Sequence, residues 1–393
     1  MRYYFDWAAT APYQYKADNI EQETRQNDLI AHAFEEKAFF ANPSSLHEEG
    51  RIAKAALEEA RKRAADLLDV QPEQLYWTSG ASESNAIVLF SLPLKNSAAR
   101  GLLFGAAEHP SIRENAAVLN KLGIQTAQVP TESYGAPCVK TLQKSLEKHP
   151  ETALITIMHV NNETGAIAPI EELVRSARNT AKRPLHFHAD MVQSPGKTPF
   201  SLKEFDVDSA SFSAHKTGGP RGIGLLYLKK PLIPLVSGGG QERGIRSGTE
   251  NPLGALKFCA ALEDSLKKTA GKDPCAGEAA AQALFKGLLS IERCVIVPQE
   301  RCAEDKRFSP YIVQAAFKGI AGETLCRMLD DAGFAASTGS ACSSAEKKRP
   351  VLEAMGVDSK TAFEAIRLST GWSTSISDVE ALLDALRNIC AVI

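Results

Sequence analysis

Short apolar runs alternate with amphipathic stretches along most of the chain, and this alternation predicts strands separated by helices. The predicted strands are ALITIMHV (153–160), LHFHAD (185–190), VDSASFS (207–213) and GLLYL (224–228). The first run is almost continuously apolar, which is typical of a strand buried on both faces of a parallel sheet. The pattern therefore predicts an α/β fold.

The clearest helix is predicted over about 46–69. Apolar residues at helical spacing mark its buried face: Leu57, Ala60, Ala64 and Leu67. Ser45 and Glu48 have the spacing of a capping box, so we expect Ser45 to cap the first turn.

The texture of the sequence changes after RSGTENP (246–252). Long helical runs rich in Ala, Leu and Lys follow, and then SPYIVQAAF (309–317) and GFAAST (333–338) as predicted strands. We place a domain boundary near 255–265 and expect the C-terminal part to be α+β. A length of 393 residues also favours two domains.

Charge and composition narrow the function classes. The chain has 45 basic and 47 acidic residues, a formal net charge of −2, so no global field attracts nucleic acid or an anionic membrane. Asp6 interrupts the place where a signal peptide needs an apolar core, and no apolar run reaches the ~18 residues of a membrane span. We therefore expect a cytoplasmic protein whose partners are small molecules or other proteins.

The eight cysteines form no C-x-x-C pair, which argues against zinc ribbons and redox pairs. In a reducing compartment most of them should be free thiols. Cys326, in ETLCRMLDD, falls at helical spacing. Cys342, in STGSACSSAEKKRP (337–350), is expected on an exposed, mobile loop, where it is either a nucleophile or an accidental surface thiol.

The run HFHAD has two interpretations. Strand alternation places His186, His188 and Asp190 on one face, as a metal site would require, but Met191 stands where a metallo-hydrolase would offer another histidine. The alternative is a strand with two half-buried histidines. Asp190 lies at the carboxyl end of the strand, where ligands of open α/β sheets bind.

A lysine at the end of another predicted strand raises a similar question. SFSAHKTGGPRGIG (211–224) delivers His215 and Lys216 into a glycine-rich loop. Such a lysine is either solvated or packed against a cofactor, with its pKa lowered so that the free amine can bond covalently.

Pyridoxal phosphate (PLP) needs four groups in one site: a lysine, a phosphate cup, a carboxylate for the pyridine nitrogen and a group stacked on the ring. Lys216, Asp190 and His109 could supply three of them. The helix predicted to start in WTSGASESNA, at Gly80, Ala81 and Ser82, could turn backbone N–H groups toward the phosphate, together with Ser213 and His215. Taken alone, that helix start is also compatible with ordinary capping.

Ten ordered motifs carry a resemblance that runs nearly end to end. They are YFDWAATAP, NPSSLHEEGR, TSGASESNA, EHPSI, HVNNETGAI, HADMVQSPGK, SAHKTGGPRGIG, GGGQERGIRSGTEN, STGSACSS and AIRLSTG. The chain resembles the cysteine desulfurases, which are PLP-dependent enzymes of fold type I in the class V aminotransferase superfamily. This implies a large, mostly parallel-sheet α/β domain (15–258) that binds PLP. It also implies a smaller α+β domain (1–14 and 259–393) that carries the catalytic cysteine.

The resemblance also implies a role for each matching residue. Lys216 would bind PLP covalently and act as the base, Asp190 would pair with the pyridinium, and His109 would stack on the ring and transfer protons. The remaining assignments are Gln193 to the phenolic oxygen; Ala81, Ser82, Ser213 and His215 to the phosphate; Thr249 to the phosphate of the neighbouring subunit in a homodimer; Asn162 and Arg367 to the substrate carboxylate; and Cys342 to sulfur acceptance.

The implied reaction removes sulfur from L-cysteine and leaves L-alanine and a persulfide on Cys342. The persulfide would serve iron–sulfur cluster assembly or thiolation of tRNA or a cofactor, through an acceptor protein. Two alternatives stay open: selenocysteine lyase or another class V reaction, and a catalytically retired scaffold for sulfur transfer. Cys342 distinguishes the first alternative, because an aminotransferase needs no exposed thiol.

Overall fold

The structure is a computed structural model and describes residues 2–13, 40–94, 100–270, 276–339 and 349–392. Its strands are Tyr3–Tyr4 (β1), Leu75–Thr78 (β2), Gly101–Gly105 (β3), Thr126–Val129 (β4), Thr152–Met158 (β5), His186–Asp190 (β6), Ser209–Ser213 (β7), Gly224–Leu228 (β8), Cys294–Val297 (β9), Ile312–Phe317 (β10), Phe334–Ala335 (β11) and Ala365–Ser369 (β12).

The α-helices lie between these strands and, near the C-terminus, beyond them. They are Glu48–Leu68 (α1), Ala81–Phe90 (α2), Pro110–Lys121 (α3), Val139–Lys148 (α4), Ile170–Thr180 (α5), Leu202–Phe205 (α6), Pro252–Ala270 (α7), Ala276–Leu289 (α8), Gly322–Asp331 (α9), Pro350–Ala354 (α10), Ser359–Glu364 (α11) and Ile376–Val392 (α12).

The centre of the described fold is a seven-stranded sheet with the order β2-β8-β7-β6-β5-β3-β4. Only β8 runs antiparallel to its neighbours in this sheet; the other pairings are parallel. Every residue of β5 is buried, as its continuous apolar sequence predicts for a strand covered on both faces. The α/β prediction is confirmed, and the four strands predicted from the apolar runs begin and end within two residues of those observed.

The predicted cap of α1 is wrong. The helix begins at Glu48 and its N-cap is His47, whose Nδ1 accepts the backbone N–H of Gly50 at 3.2 Å. Ser45 instead lies in a preceding turn, with its own N–H bonded to the carbonyl of Asn42 at 3.0 Å. Because of this turn, the helix begins later in the chain than the capping-box pattern predicts. Of the predicted buried face, three residues are buried and Leu67 is partly buried against the same core.

A second, antiparallel sheet lies in the C-terminal part, with the order β12-β10-β9. It shares an apolar core with helices α8, α9 and α12. Strand β1, near the N-terminus, pairs in parallel with β11 and so joins this C-terminal part. The division into 15–258 and 1–14 with 259–393 stays a prediction; residues 255–265, where we place the boundary, lie within the single helix α7.

The topology brings several strand ends to one edge of the large sheet. Asp190 ends β6, and Ser213 ends β7 just before a 3₁₀ turn that contains His215 and Lys216. The chain leaves β2 at the same edge to begin α2. Ligands of open parallel sheets bind outside the carboxyl ends of strands, so this edge is the expected position of a site.

Two observations on the described residues concern disulfide bonds and membrane-spanning helices. The six cysteines there are all free thiols. In these ranges no helix combines the length and apolarity that a bilayer crossing requires.

Candidate active site

A cavity of about 450 Å³ opens at this sheet edge. It brings together most residues that the sequence nominates: Ala81, Ser82, His109, Asn162, Asp190, Gln193, Ser213, His215 and Lys216. Arg367 and Thr249 do not line it. Cys342 lies outside the described residues.

Lys216 has the environment of a nucleophilic amine. Its Nζ donates to the backbone carbonyls of Ala8 and Ala9, at 2.7 and 2.8 Å. Burial, with a smaller contribution from the positive charge of Arg367, lowers the pKa of Lys216 to about 7, against the opposing effect of Asp6 and Asp190. A large share of this amine is therefore neutral near pH 7 and available to bond to a carbonyl carbon.

The start of α2 forms one wall of the cavity. No side chain caps this helix, and its N-cap is Gly80. Gly224, the first residue of β8, lies so close that a Cβ there would be 2.6 Å from Gly80 Cα. The first turn therefore keeps its backbone N–H groups for an anion, and Ser213 and His215 lie at the same cavity.

Asp190 and His109, the two groups expected around the cofactor ring, are held in place by hydrogen bonds from neighbouring protein groups. Asp190 Oδ2 accepts from Asn85 Nδ2 at 3.0 Å, and Asp190 Oδ1 accepts from the Val192 N–H at 3.1 Å. His109 is the N-cap of α3, and its Nδ1 accepts the Ser111 N–H at 3.1 Å. Burial lowers the pKa of His109 below its usual value, against the opposing charge of Asp190 and with a further lowering by Lys216, so the neutral ring predominates at pH 7.

Gln193 is almost fully buried and reaches the cavity from the segment after β6. Its Nε2 donates to the Ala8 carbonyl at 2.8 Å, while its Oε1 accepts from Lys197 Nζ. Burial, followed by repulsion from Lys216, lowers the pKa of Lys197 well below its usual value. The Ala8 carbonyl can only accept, so it fixes the Gln193 amide with Nε2 toward Ala8 and Oε1 toward Lys197.

Asn162 and Arg367 are brought together beside the cavity. The guanidinium of Arg367 donates through Nη1 to the Asn162 carbonyl at 2.8 Å and through Nη2 to Ser337 Oγ at 2.9 Å. Nη2 also pairs with Asp6 Oδ1 at 2.7 Å. Within the described residues, the buried Nε has no hydrogen-bond partner, which leaves donor capacity on this guanidinium.

Sequence reasoning missed several residues that shape the site. Asp6 was noted only as a break in an apolar run, yet it pairs with Arg367. Asn85 reaches Asp190 across more than 100 residues of chain, a contact that no local pattern reveals. Lys197 could have been found from the sequence, because it stands four residues after Gln193 in the same motif.

The metal interpretation of His186 and His188 is not needed to explain their burial. Their ring nitrogens make hydrogen bonds to Ser209, and His188 also contacts Asn85. Among the residues described, no cluster of three or more His, Cys, Asp or Glu side chains is placed to hold a metal ion.

The chemistry of the cavity fits PLP. A partly neutral lysine amine matches an aldehyde, an uncapped helix start matches a phosphate, and a buried carboxylate matches a pyridinium nitrogen. Lys216, the first turn of α2 and Asp190 would hold these three parts of the cofactor.

Comparisons with known proteins give the same answer. The family model described as "Aminotransferase class-V" matches residues 24–382. "Cysteine desulfurase IscS" of Dictyoglomus turgidum is 33% identical over 400 residues, which cover 98% of this chain and 94% of the relative. A "NifS/IcsS protein homolog" of Lactobacillus delbrueckii is 35% identical over 355 residues, covering 89% and 90%.

Solved structures extend the match to three dimensions. A "NIFS-LIKE PROTEIN" superposes with a TM-score of 0.86 at 32% identity and covers all of both chains. A structure described as "SspA in complex with cysteine" superposes with a TM-score of 0.74 at 28% identity, over 94% of this chain and 99% of that one. The chain belongs to the aminotransferase class-V family, in its group of PLP-dependent cysteine desulfurases.

Proposed function

We propose that this cysteine desulfurase acts through Lys216, Asp190 and His109 and transfers the sulfur of L-cysteine to Cys342. One observation carries the assignment of the residues: a lysine with a pKa of about 7 shares a cavity with an uncapped helix start and a buried carboxylate. When bound there, PLP supplies an electron sink for the bonds at the substrate Cα. The protein groups must then bind the substrate and move its protons.

Lys216 is the proposed base. Its neutral amine would accept the Cα proton, and a pKa near the operating pH suits it to return that proton later. His109 is neutral and lies at the same cavity, so it can accept the thiol proton of the substrate or donate to a product carbon. Asp190, held by two donors, would pair with the pyridine nitrogen and keep it protonated.

Arg367 and Asn162 are the proposed carboxylate site. A planar guanidinium binds a carboxylate with two hydrogen bonds, and the buried Nε of Arg367 is a free donor within the described part of the chain. Nη2 of Arg367 donates to the Asp6 carboxylate, which supports the proposal that this guanidinium pairs with carboxylates.

Cys342 is the proposed sulfur acceptor. Its thiolate forms an S–S bond to the substrate sulfur, while the Cβ–S bond breaks and its electron pair stays with the substrate carbon. Protonation of that carbon completes L-alanine, and the persulfide remains on Cys342. An acceptor protein then takes the sulfur for iron–sulfur cluster assembly or for thiolation of tRNA or a cofactor.

A homodimer is part of the proposal. Three apolar side chains close to the glycine-rich 237–240 segment are far more exposed than core residues: Ile233 (58%), Leu235 (55%) and Val236 (70%). Exposed Thr249, predicted to reach the phosphate of a second subunit, follows in the same stretch. A second copy would cover this apolar surface and receive Thr249. The near-neutral net charge and the free thiols of the described residues support a cytoplasmic location.

The test combines one spectrum and two cysteine variants. Purified protein should absorb in the PLP region, change its spectrum on adding L-cysteine, and form alanine and, with a thiol reductant, sulfide. Cys342→Ala should keep bound PLP but lose persulfide formation, whereas Cys302→Ala, at an exposed cysteine, should behave as wild type.

Other outcomes would overturn the assignment. Protein that stays colourless and inert after adding PLP would favour a retired scaffold. Persulfide formation that survives Cys342→Ala would place the acceptor thiol elsewhere. Alanine formed only from selenocysteine would favour the lyase.

A further inference from the structure

Asn85 is a fully buried side chain at the centre of a hydrogen-bond network behind the cavity. It lies on α2 and does not line the cavity. Its Nδ2 donates to Asp190 Oδ2 at 3.0 Å and to Ser111 Oγ at 2.9 Å. Its Oδ1 lies 2.9 Å from His188 Nε2. One amide thus joins three side chains.

The chemistry of these partners fixes the direction of the first branch. An ionised carboxylate only accepts hydrogen bonds, so Nδ2 of Asn85 must face Asp190 and Oδ1 must face His188. His188 Nε2 must then carry a proton to donate; Ser211 Oγ, 3.3 Å from the same nitrogen, is a weaker second acceptor. Burial lowers the pKa of His188 to about 3, so the ring is neutral and its Nδ1 is an acceptor.

The neutral ring extends the chain of donors by one step. Nδ1 of His188 lies 2.7 Å from Ser209 Oγ, and the Ser209 hydroxyl must therefore donate to it. The Ser209 oxygen is in turn 2.7 Å from His186 Nε2, from which it accepts. Every bond in this chain points its proton toward the Asp190 carboxylate, and aligned bonds of this kind strengthen one another.

The second branch leads from Asn85 to His109. Ser111 Oγ accepts from Asn85, so its own proton is free to go to His109 Nδ1 at 2.9 Å. The same Nδ1 also accepts the Ser111 N–H. With two donors on Nδ1, the neutral ring of His109 carries its proton on Nε2.

We propose that Asn85 is a positioning residue that holds a hydrogen-bond donor on the Asp190 carboxylate and keeps His109 as the Nε2–H tautomer, while His188 fixes the orientation of the Asn85 amide. The inference rests on the roles proposed above for Asp190 and His109. It adds that one buried amide orients both groups. If the Asn85 carbonyl oxygen faced Asp190 instead, the directions of the hydrogen bonds in both branches would be reversed.

Other titratable groups also act on Asp190 and must be kept constant in a test. Glu108, His109 and Lys216 interact with it electrostatically. Burial, followed by the charge of Asp190, raises the pKa of Glu108 well above its usual range. None of the three changes identity in an Asn85 variant.

The test compares holoenzymes with Asn85→Asp and Thr156→Val. Asn85→Asp keeps the shape of the side chain, and its carboxylate form cannot donate to Asp190; because it adds a titratable group beside Asp190, Asn85→Leu, which adds none and cannot donate, is compared with it and should change in the same direction. Thr156 lies opposite His188 in the β5–β6 register and is fully buried, and its hydroxyl has no partner among the residues described, so Thr156→Val is a matched control. Circular dichroism checks that all three variants are folded.

We expect Asn85→Asp to move the pH at which the absorption of the bound cofactor changes. Hydrogen bonds to charged groups contribute enough that kcat should fall about tenfold to a hundredfold. The KM for L-cysteine should stay within about twofold because the carboxylate site is untouched. An unchanged pH titration and kcat would overturn the proposal, as would an equal change in Thr156→Val.

A second measurement needs no variant of Asn85. Histidine-selective ¹⁵N labelling of the wild-type holoenzyme reports the tautomer of each ring. His109 and His188 should both be Nε2–H tautomers, and an Nδ1–H tautomer at either would overturn the proposal. This result is independent of turnover: wild-type protein that forms no alanine would refute the proposed function, while the tautomers would still test the role of Asn85.

Discussion

The amine of Lys216 should titrate near neutral pH in protein freed of PLP. Burial is the main cause of its lowered pKa, with Arg367 adding to the effect, and the pKa falls to about 7. The quantity varied in this experiment is therefore the pH of the solution, which changes the neutral fraction of the Lys216 amine. Because only the neutral amine attacks the aldehyde of PLP, the rate of covalent capture should follow the deprotonation of Lys216.

The expected effect is large. At pH 7 a pKa of about 7 leaves about half of the amine neutral, whereas an ordinary lysine with a pKa of about 10.4 is neutral in roughly one molecule in 2,500. The apparent rate constant for capture should rise with pH, level off above about pH 7 to 8, and stay flat. A free lysine derivative should instead keep rising until about pH 10.

The assay is stopped-flow absorbance after mixing apoprotein with PLP across this pH range. The free lysine derivative, run in parallel, corrects for titration of PLP itself. Two charge variants give opposite signs: Arg367→Gln removes a charge that lowers the pKa of Lys216 and should move the midpoint up, while Asp6→Asn removes one that raises it and should move the midpoint down. A rate that climbs through pH 10 in wild type, or variants that shift in the same direction, would refute the reasoning.

Two further predictions concern packing at the start of α2 and a buried ion pair. Gly224→Ala would place a Cβ 2.6 Å from Gly80 Cα, so the start of α2 must move; a loss of about 1–3 kcal/mol of binding free energy should raise the dissociation constant of PLP about fivefold to 150-fold, measured by fluorescence titration of apoprotein. Arg61→Leu removes the buried bidentate partner of Glu242 and should lower the free energy of unfolding in urea by about 3–5 kcal/mol. Adding Glu242→Leu should recover part of that loss, because no buried charge is then left unpaired and Glu58, the other partner of Arg61, is exposed; a double variant less stable than the single one would contradict this account.

The sequence was most informative where a residue acts through its own strand or helix. Strands β5 to β8 follow directly from apolar runs, and Asp190 and Lys216 are found at their ends because a strand end is a local property. The cap of α1 was wrong since its choice between Ser45 and His47 depends on a turn, which capping patterns do not include.

Contacts between residues that are far apart in the sequence could not be predicted from local patterns. Asp6 and Arg367 are separated by 361 positions, and their pairing depends on how the segment after β1 crosses to β12. Asn85 carries no sign of its role, because a buried asparagine on a helix looks the same whether it bonds to backbone or to a catalytic carboxylate. Only the tertiary fold, which sets α2 against β6, makes that distinction.

The site lowers the pKa values of its basic groups, and the reason is electrostatic. Burial is the first cause of the lowered pKa values of Lys216, Lys197 and His215, and repulsion from neighbouring cations is the second in each case. A cavity of this kind favours anions, because each negative charge that enters offsets both burial and repulsion. A phosphate at the start of α2 and a carboxylate beside Arg367 would be two such charges. The order of binding should therefore affect protonation: the basic groups hold protons weakly before the anions bind, and their proton affinity should rise once both anions are in place.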